Sequence, residues 1–242
     1  MAQLAELTEL DASMRQIESL VGLQCAQNLR RLRLNNNILT GEDLYVLTAL
    51  TKLEYLNLST LYLTDISALA SLTNLRQLYL TENELRDVSP LASLTNLTEL
   101  SLALNRLTDV SPIAGMTNLG RLYLSNNQIT DIGFISSMVN MEVLNVEGIP
   151  LGDGSLIANM TNMQILSVSG TGLTNLNFLQ EMTGLKELYI DFNHLQDLSM
   201  LLDLPSLTTV DVWENPLNND SCTRVLPELR NRGVSVRTNS GC

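Results

Sequence analysis

The sequence contains few of the residues on which catalysis and metal binding most often depend. Its 242 residues include one histidine, His194, and three cysteines. A Ser-His-Asp arrangement would have to use His194, which follows Asn193 in a segment that we expect to be a solvent-exposed turn. The sequence also has no C-x-x-C, no H-E-x-x-H and no glycine-rich phosphate-binding motif. We therefore predict that the protein is not an enzyme, with no catalytic residues, cofactor or metal ion.

Basic residues are scarce as well. There are 14 Lys and Arg residues against 26 Asp and Glu residues, which gives a formal net charge of −12. Nucleic acids and anionic membranes attract basic surfaces, so we expect neither as a partner. No apolar run approaches the ~20 residues of a membrane-spanning helix, so we also expect no membrane insertion.

The termini and the cysteines leave the cellular compartment open. Met1-Ala2-Gln3 does not open a signal peptide, so we expect either a cytosolic protein or one whose leader has been removed. Cys25 stands alone, whereas Cys222 and Cys242 both fall in the last segment of the chain. We predict that these two form a disulfide, because it would hold a terminal tail that otherwise frays, and that Cys25 is a free thiol.

One motif of 22 residues is repeated almost unchanged along the sequence. Its clearest copies begin at Leu75, Leu97 and Leu119 and read LRQLYLTENELRDVSPLASLTN, LTELSLALNRLTDVSPIAGMTN and LGRLYLSNNQITDIGFISSMVN. The shared skeleton L-x-x-L-x-L-x-x-N-x-L is the leucine-rich-repeat signature, and a period of 22 lies within the range of that class. A single copy cannot bury its own leucines, so we expect a stack of copies to be the folding unit.

With its continuation T-D-[IV]-S-P-[LI], the motif resembles the bacterial internalin-like subclass of leucine-rich repeats over nearly the whole chain. The resemblance implies an α/β solenoid, a horseshoe with a parallel sheet on its concave face and short helical or 3-10 turns on its convex side. Positions that open strands predict about ten coils, which begin at Leu7, Leu29, Leu53, Leu75, Leu97, Leu119, Met141, Met163, Leu185 and Leu207.

The chain is expected to form one domain, residues 1–242, with coils from residue 7 to about residue 217. The repeat stops after Pro216, and Asp220 or Ser221 can cap a helix that runs through Arg230 and that Gly233 ends. Residues 234–236 can form one more strand. We therefore predict a C-terminal cap of a helix and a strand, over about residues 218–242, that covers the last coil.

Two polar residues recur at fixed positions of the repeat, and their copies in successive coils are called the asparagine column and the aspartate column. The turn asparagine, for example Asn105, can satisfy turn backbone groups that water does not reach. It is replaced by Arg15, Leu61, Ile149 and Thr171 in four coils. An aspartate such as Asp109 recurs just before the convex turn, where it can cap that turn, and this interpretation is preferred over a calcium site.

Side chains between the leucines of each strand should point out of the concave face. Aromatic residues and arginine are the usual anchors of protein interfaces, although aromatic rings can also lie flat on a sheet for local stability. Leu104 and Phe192 have no evident structural reason to face water. We expect Tyr189, Phe192 and Trp213 to form one apolar patch with an acidic rim. The predicted partner-binding residues are Tyr55, Tyr79, Glu99, Leu104, Arg121, Tyr123, Val143, Ile165, Tyr189, Phe192, Asp211 and Trp213.

These features predict a monomeric, non-catalytic module that binds another protein through its concave face. The resemblance implies a bacterial surface or secreted protein that takes part in adhesion or in recognition of host or neighbouring cells. One alternative is an intracellular regulatory scaffold of the kind that docks a phosphatase catalytic subunit, with a cytoplasmic location. Another is a carbohydrate-binding surface, because stacked aromatic residues with polar neighbours also suit sugar rings.

Overall fold

The computed structural model describes residues 2–239 and 242. The chain separates into two compact units, Met1–Ile129 and Thr130–Cys242, referred to below as the first and the second unit. Both are built from the same coil, which consists of a three-residue strand, a turn and a short 3-10 segment.

The first unit begins with helix α1, Ala2–Ala5, and continues with strands β1 to β6. These strands are Glu9–Asp11, Arg31–Arg33, Tyr55–Asn57, Gln77–Tyr79, Glu99–Ser101 and Arg121–Tyr123. The 3-10 segments between them are Leu23–Cys25, Asp43–Ala49, Ser67–Ser71, Ser89–Leu91 and Ser111–Gly115. Each strand pairs in parallel with the next, in a register that places equivalent residues of successive coils side by side.

The second unit contains strands β7 to β11, again parallel and paired in chain order. They are Val143–Asn145, Ile165–Ser167, Glu187–Tyr189, Thr209–Asp211 and Ser235–Arg237. Its 3-10 segments are Gly133–Ser137, Ser155–Ile157, Asn177–Leu179 and Ser199–Asp203. The predicted solenoid of parallel strands and 3-10 turns is confirmed.

Burial follows the repeat. Leu97, Leu100 and Leu102 have no exposed surface, and the same holds for Leu107 and Val110 on the return path of that coil. Leu7 and Leu10 of the first coil are only half-buried, as expected where one side of the stack has no neighbouring coil. The leucine periodicity therefore predicts the core correctly.

The predicted cap is present, with one correction. A π-helical turn, Ser221–Val225, precedes helix α2, Leu226–Asn231, and neither Asp220 nor Ser221 caps it with its side chain. Asp220 instead binds Arg224. Gly233 ends the helix in the left-handed region, at φ +85°, and β11 follows. The structure joins Cys222 to Cys242 by a disulfide, with the two Cα atoms 4.7 Å apart.

The asparagine column acts as predicted. The Asn105 amide donates to the carbonyl oxygens of Leu80 and Leu102, at 2.9 and 3.0 Å, and its Oδ1 accepts the Leu85 N–H at 3.1 Å. Asn105 is buried, whereas Asn127 makes equivalent bonds but is only half-buried. Each such amide ties its own turn to that of the preceding coil.

The aspartate column holds the convex segments from one residue before the N-cap position, by accepting the first N–H of each segment. The Asp109 carboxylate accepts the Ser111 N–H at 2.8 Å, and Asn175 does the same for Asn177 at 3.1 Å in the coil that lacks the aspartate. The equivalent bonds of the other coils are made by Asp65, Asp87, Asp131, Asp153 and Asp197.

Candidate functional site

The candidate site is the outward side of the strands and of the turn residues that follow them, here called the strand face. Its backbone has a feature that the leucine pattern does not reveal. The eighth residue of every coil lies in the left-handed region, with φ from +54° to +78°. These residues are Met14, Asn36, Thr60, Glu82, Leu104, Asn126, Gly148, Gly170, Phe192 and Glu214.

Three of these left-handed positions carry large apolar side chains in solvent, and Met14 is the most exposed of them, at 72%. Phe192 is 55% exposed and Leu104 is 48% exposed. A non-glycine residue in this conformation costs on the order of 1 kcal/mol, a cost that Gly148 and Gly170 avoid at the same place. Strained and exposed apolar positions of this kind concentrate at binding sites. Leu104 lies in the first unit and Phe192 in the second.

In the second unit, Phe192 packs edge-on against Trp213, with ring centroids 4.9 Å apart. The Arg237 guanidinium lies over the Trp213 ring, 5.4 Å from its centroid. Trp213 thus contacts both Phe192 and Arg237, and its edge-on contact orients the Phe192 ring. A cleft of ≈ 510 Å³ beside it is lined by residues that include His194 and Glu214.

The acidic rim expected around this patch is only partly present. Asp211 is buried, because its carboxylate accepts a 2.7 Å bond from Arg237 and a second bond from the Trp213 N–H. It therefore positions the patch and is not offered to a partner, contrary to the expectation. Asp191 accepts a short hydrogen bond from the Ser169 hydroxyl, and Glu214 remains exposed.

Tyr189 lies beside the patch on β9 and is half-buried. Its hydroxyl donates to the Glu187 carboxylate at 2.9 Å, and that carboxylate raises the pKa of Tyr189 above its ordinary value. Val143 and Ile165 are neighbours in the register of β7 and β8, and both are half-buried. The structure thus brings Phe192 and Trp213 into direct contact. Tyr189, on β9, is the register neighbour of Asp211 on β10.

In the first unit, Tyr55 is buried, in contrast to the exposure expected for it. The guanidinium groups of Arg31 and Arg33 lie 4.3 and 5.1 Å from its ring centroid, and the Tyr79 ring packs 5.4 Å away. Long side chains of the neighbouring strands therefore cover Tyr55. It supports the strand face and presents little surface to a partner.

Glu99 is also mostly buried, and it organises the next part of the face. Its Oε2 accepts a 3.0 Å bond from the Gln77 amide, and the Arg121 guanidinium lies 3.9 Å from the same oxygen. Burial, and next the Glu99 carboxylate, raise the pKa of both Tyr79 and Tyr123. Both tyrosines are half-buried, whereas Arg121 is exposed.

Several residues of these clusters were missed from the sequence. Arg237 lies outside the repeat, and Gln77 is an ordinary polar residue in it, so neither carried a signal. The first unit also exposes Ile38 and Tyr62, at 59% and 71%, beside a shallow cleft of ≈ 380 Å³ in its turns. Tyr62 also has a positive φ, of +59°.

Comparison with known proteins agrees with this geometry. The family model for leucine-rich repeats (2 copies) matches residues 27–71, 51–93, 73–115, 95–137 and 117–153. The chain belongs to the leucine-rich repeat family. Its repeats are of the internalin-like kind, as the solved structures show.

An internalin (inlF) from Listeria monocytogenes, known from a crystal structure, shares 32% sequence identity with this chain and superimposes with a TM-score of 0.86. The match covers 99% of this chain and 69% of that one. The internalin C2 (inlC2) of the same species is also 32% identical, with a TM-score of 0.63, over 86% of this chain and 82% of that one. The ectodomain of a plant receptor kinase from Arabidopsis thaliana, GASSHO1/SCHENGEN3, solved in complex with CASPARIAN STRIP INTEGRITY FACTOR 2, is 25% identical with a TM-score of 0.67. That match covers 83% of this internalin-like chain and 26% of the receptor chain. No curated protein sequence matches the chain significantly.

Two further observations bear on the chemistry of the described residues. Within residues 2–239 and 242, no three His, Cys, Asp or Glu side chains converge as metal ligands would. In the same residues, no helix has the length and apolar character needed to cross a membrane. A leucine-rich-repeat solenoid presents an extended surface of the kind that binds other proteins.

Proposed function

We propose that this chain is a protein-binding module of a bacterial surface or secreted protein, which takes part in adhesion or cell recognition through its strand face. The observation that carries the proposal is Phe192, an exposed aromatic ring that packs edge-on against Trp213. The left-handed backbone is common to the eighth residue of every coil, so what needs an explanation is the exposure of a large aromatic ring there, and that exposure is understandable if the ring is an anchor for a partner.

The surroundings of the patch specify the chemistry of that partner. Asp191, Glu214 and Glu187 carry negative charge around the apolar centre, and Arg237 is already occupied by Asp211 and Trp213. The patch therefore suits an apolar side chain flanked by Lys or Arg. The charges should speed encounter, and the aromatic contact should slow release. The internalin-like repeats support a bacterial surface location for the whole protein.

A cell-binding titration tests the proposal. The fluorescently labelled chain should bind saturably to host or neighbouring bacterial cells, and protease treatment of the cells should abolish binding while glycan removal should not. Absence of saturable binding would overturn the adhesion role and favour an intracellular scaffold. Loss on glycan removal alone would favour a carbohydrate ligand.

Substitutions then locate the contact. Trp213→Ala should weaken binding by about 2 kcal/mol, or about 30-fold in Kd. Phe192→Gly should weaken binding similarly, yet change the free energy of unfolding by less than about 1 kcal/mol, because glycine relieves the left-handed strain as the ring contact is lost.

Tyr62→Gly is the matched control, since Tyr62 is also exposed, aromatic and left-handed but lies in the first unit, outside the Phe192 patch. It should leave affinity unchanged. If Tyr62→Gly weakens binding and the Phe192 and Trp213 variants do not, the Phe192 patch is not the binding surface.

A further inference from the structure

A second recognition site is suggested by the middle of the first unit, apart from the Phe192 patch. Tyr79, Ser101 and Tyr123 are side by side in the register of β4, β5 and β6. Ser101 is small and buried, and its hydroxyl is bonded to that of Thr81 at 2.6 Å. Since adjacent strands lie ~4.8 Å apart, the two tyrosines rise about 10 Å from each other on either side of a low point.

The charge in this notch is negative. Glu99 is on the same strand as Ser101, two residues before it, and retains 11% side-chain exposure. Burial, and after it the Glu99 carboxylate, raises the pKa of both tyrosines. The notch thus has aromatic walls and a carboxylate that is mostly withdrawn from water but still reachable.

We propose that Tyr79, Tyr123 and Glu99 form a cation-binding notch that receives a lysine or arginine side chain of a partner protein. A cation above Ser101 would stand between the two flanking strands, each ~4.8 Å away, so a ring of either tyrosine that leans toward it can come within the ~6 Å range of a cation–π contact. The carboxylate supplies the opposite charge in a partly desolvated place, where it is screened less than at an open surface.

Arg121 partly fills this role within the chain. Its guanidinium is 3.9 Å from Glu99, beyond hydrogen-bond distance, and its side chain is 49% exposed. Such a loose, solvated pair is weak, so an incoming cation can share the carboxylate or displace Arg121. Arg121 is thereby an internal competitor for the Glu99 carboxylate, so its removal should strengthen the binding of an external cation.

The experiment uses the full chain and blocked tripeptides, so it does not depend on the Phe192 patch or on knowing the partner. The ring resonances of Tyr79 and Tyr123 are followed by NMR as Ac-Gly-Lys-Gly-amide or its arginine equivalent is added. Both peptides should shift these two rings, with Kd on the order of millimolar. The acetyl-lysine and norleucine peptides, which lack the charge, should shift neither.

Three variants then test the charge. Glu99→Gln should weaken binding of the lysine peptide about threefold, and Arg121→Gln should strengthen it by a similar factor. Glu82→Gln removes the same charge from the neighbouring coil and should change the affinity less than Glu99→Gln does.

The proposal is overturned if the charged and neutral peptides shift the rings equally, or if Glu99→Gln binds no more weakly than Glu82→Gln. Unchanged or weaker binding by Arg121→Gln would also overturn it. A purely structural role for Glu99 predicts no response of the two rings to any of the peptides. Failure here would leave the Phe192 patch untouched, because that patch is tested separately by cell binding.

Discussion

At the scale of single residues, Asn105 shows how one amide joins two coils. Its amide group bonds two carbonyl oxygens and its oxygen accepts a backbone N–H, all in a buried place. Asn105→Leu should lower the free energy of unfolding by about 1–3 kcal/mol, because these backbone groups lose their partners. Urea denaturation followed by circular dichroism measures this.

Steric misfit is not the expected cause of that loss, because Leu61 occupies the equivalent position two coils earlier and is fully accommodated, at 3% exposure. Thr108→Leu, at an exposed position of the same coil, should change stability by less than about 0.5 kcal/mol. A denaturation midpoint of Asn105→Leu that matches this control would show that the amide contributes nothing.

How far the sequence predicts a residue depends on what determines its environment. Leu97 and Leu100 were placed correctly because their burial follows from the period of the coil itself. Tyr55, Glu99 and Asp211 were expected on the surface, yet all three are buried. Their exposure depends on long side chains from other strands, such as Arg237, which binds Asp211. The repeat pattern does not predict the direction in which those long side chains extend.

The left-handed position could have been inferred more fully. Gly148, Gly170, Asn36 and Asn126 occupy it in four coils, and glycine and asparagine are the residues that tolerate positive φ best. This preference for glycine and asparagine is hard to see in the sequence, because the other coils have residues such as Glu82 at the same position. Recognition of this position turns Phe192 from an unexplained exposed ring into a strained one.

At the scale of elements, the convex 3-10 segments are capped by carboxylates that should titrate. The Ser111 N–H lowers the pKa of Asp109, and the Ser155 hydroxyl lowers that of Asp153. The unfolded chain has an ordinary Asp pKa of about 3.9. The charged carboxylates therefore stabilise the fold fully above that pH, and this contribution is lost as the pH falls through the lower folded-state pKa values.

Asn175 shows that an amide can make the same cap without titrating. Asp109→Asn with Asp153→Asn should therefore leave stability at pH 7 nearly unchanged and flatten its decline below about pH 4. The check is a set of urea titrations from pH 7 to pH 2.5. Glu18→Gln with Glu181→Gln, which removes equal charge from exposed positions, should retain the steep decline. An equal flattening in both pairs would assign the effect to net charge.

At the scale of the whole molecule, the last coil of the stack is closed by the C-terminal cap. Leu7 and Leu10 of the first coil are half-buried, whereas the last coil is covered by helix α2, strand β11 and the disulfide between Cys222 and Cys242. Arg232 adds bonds from the cap to the carbonyl oxygens of Leu202 and Leu204, both at 2.8 Å. A stack of coils depends on such closure, because the last coil otherwise exposes its leucines.

The disulfide makes this closure depend on redox conditions. It spans a sequence separation of 20, for which loop-closure entropy gives roughly 3 kcal/mol. Cys222→Ser with Cys242→Ser should lower stability by about that amount, and Cys25→Ser should lower it little, because Cys25 forms no disulfide. Mass spectrometry of protein purified without reductant should find one free thiol. Three free thiols would contradict the bonded cap, and would favour a reducing, cytosolic location over the bacterial surface.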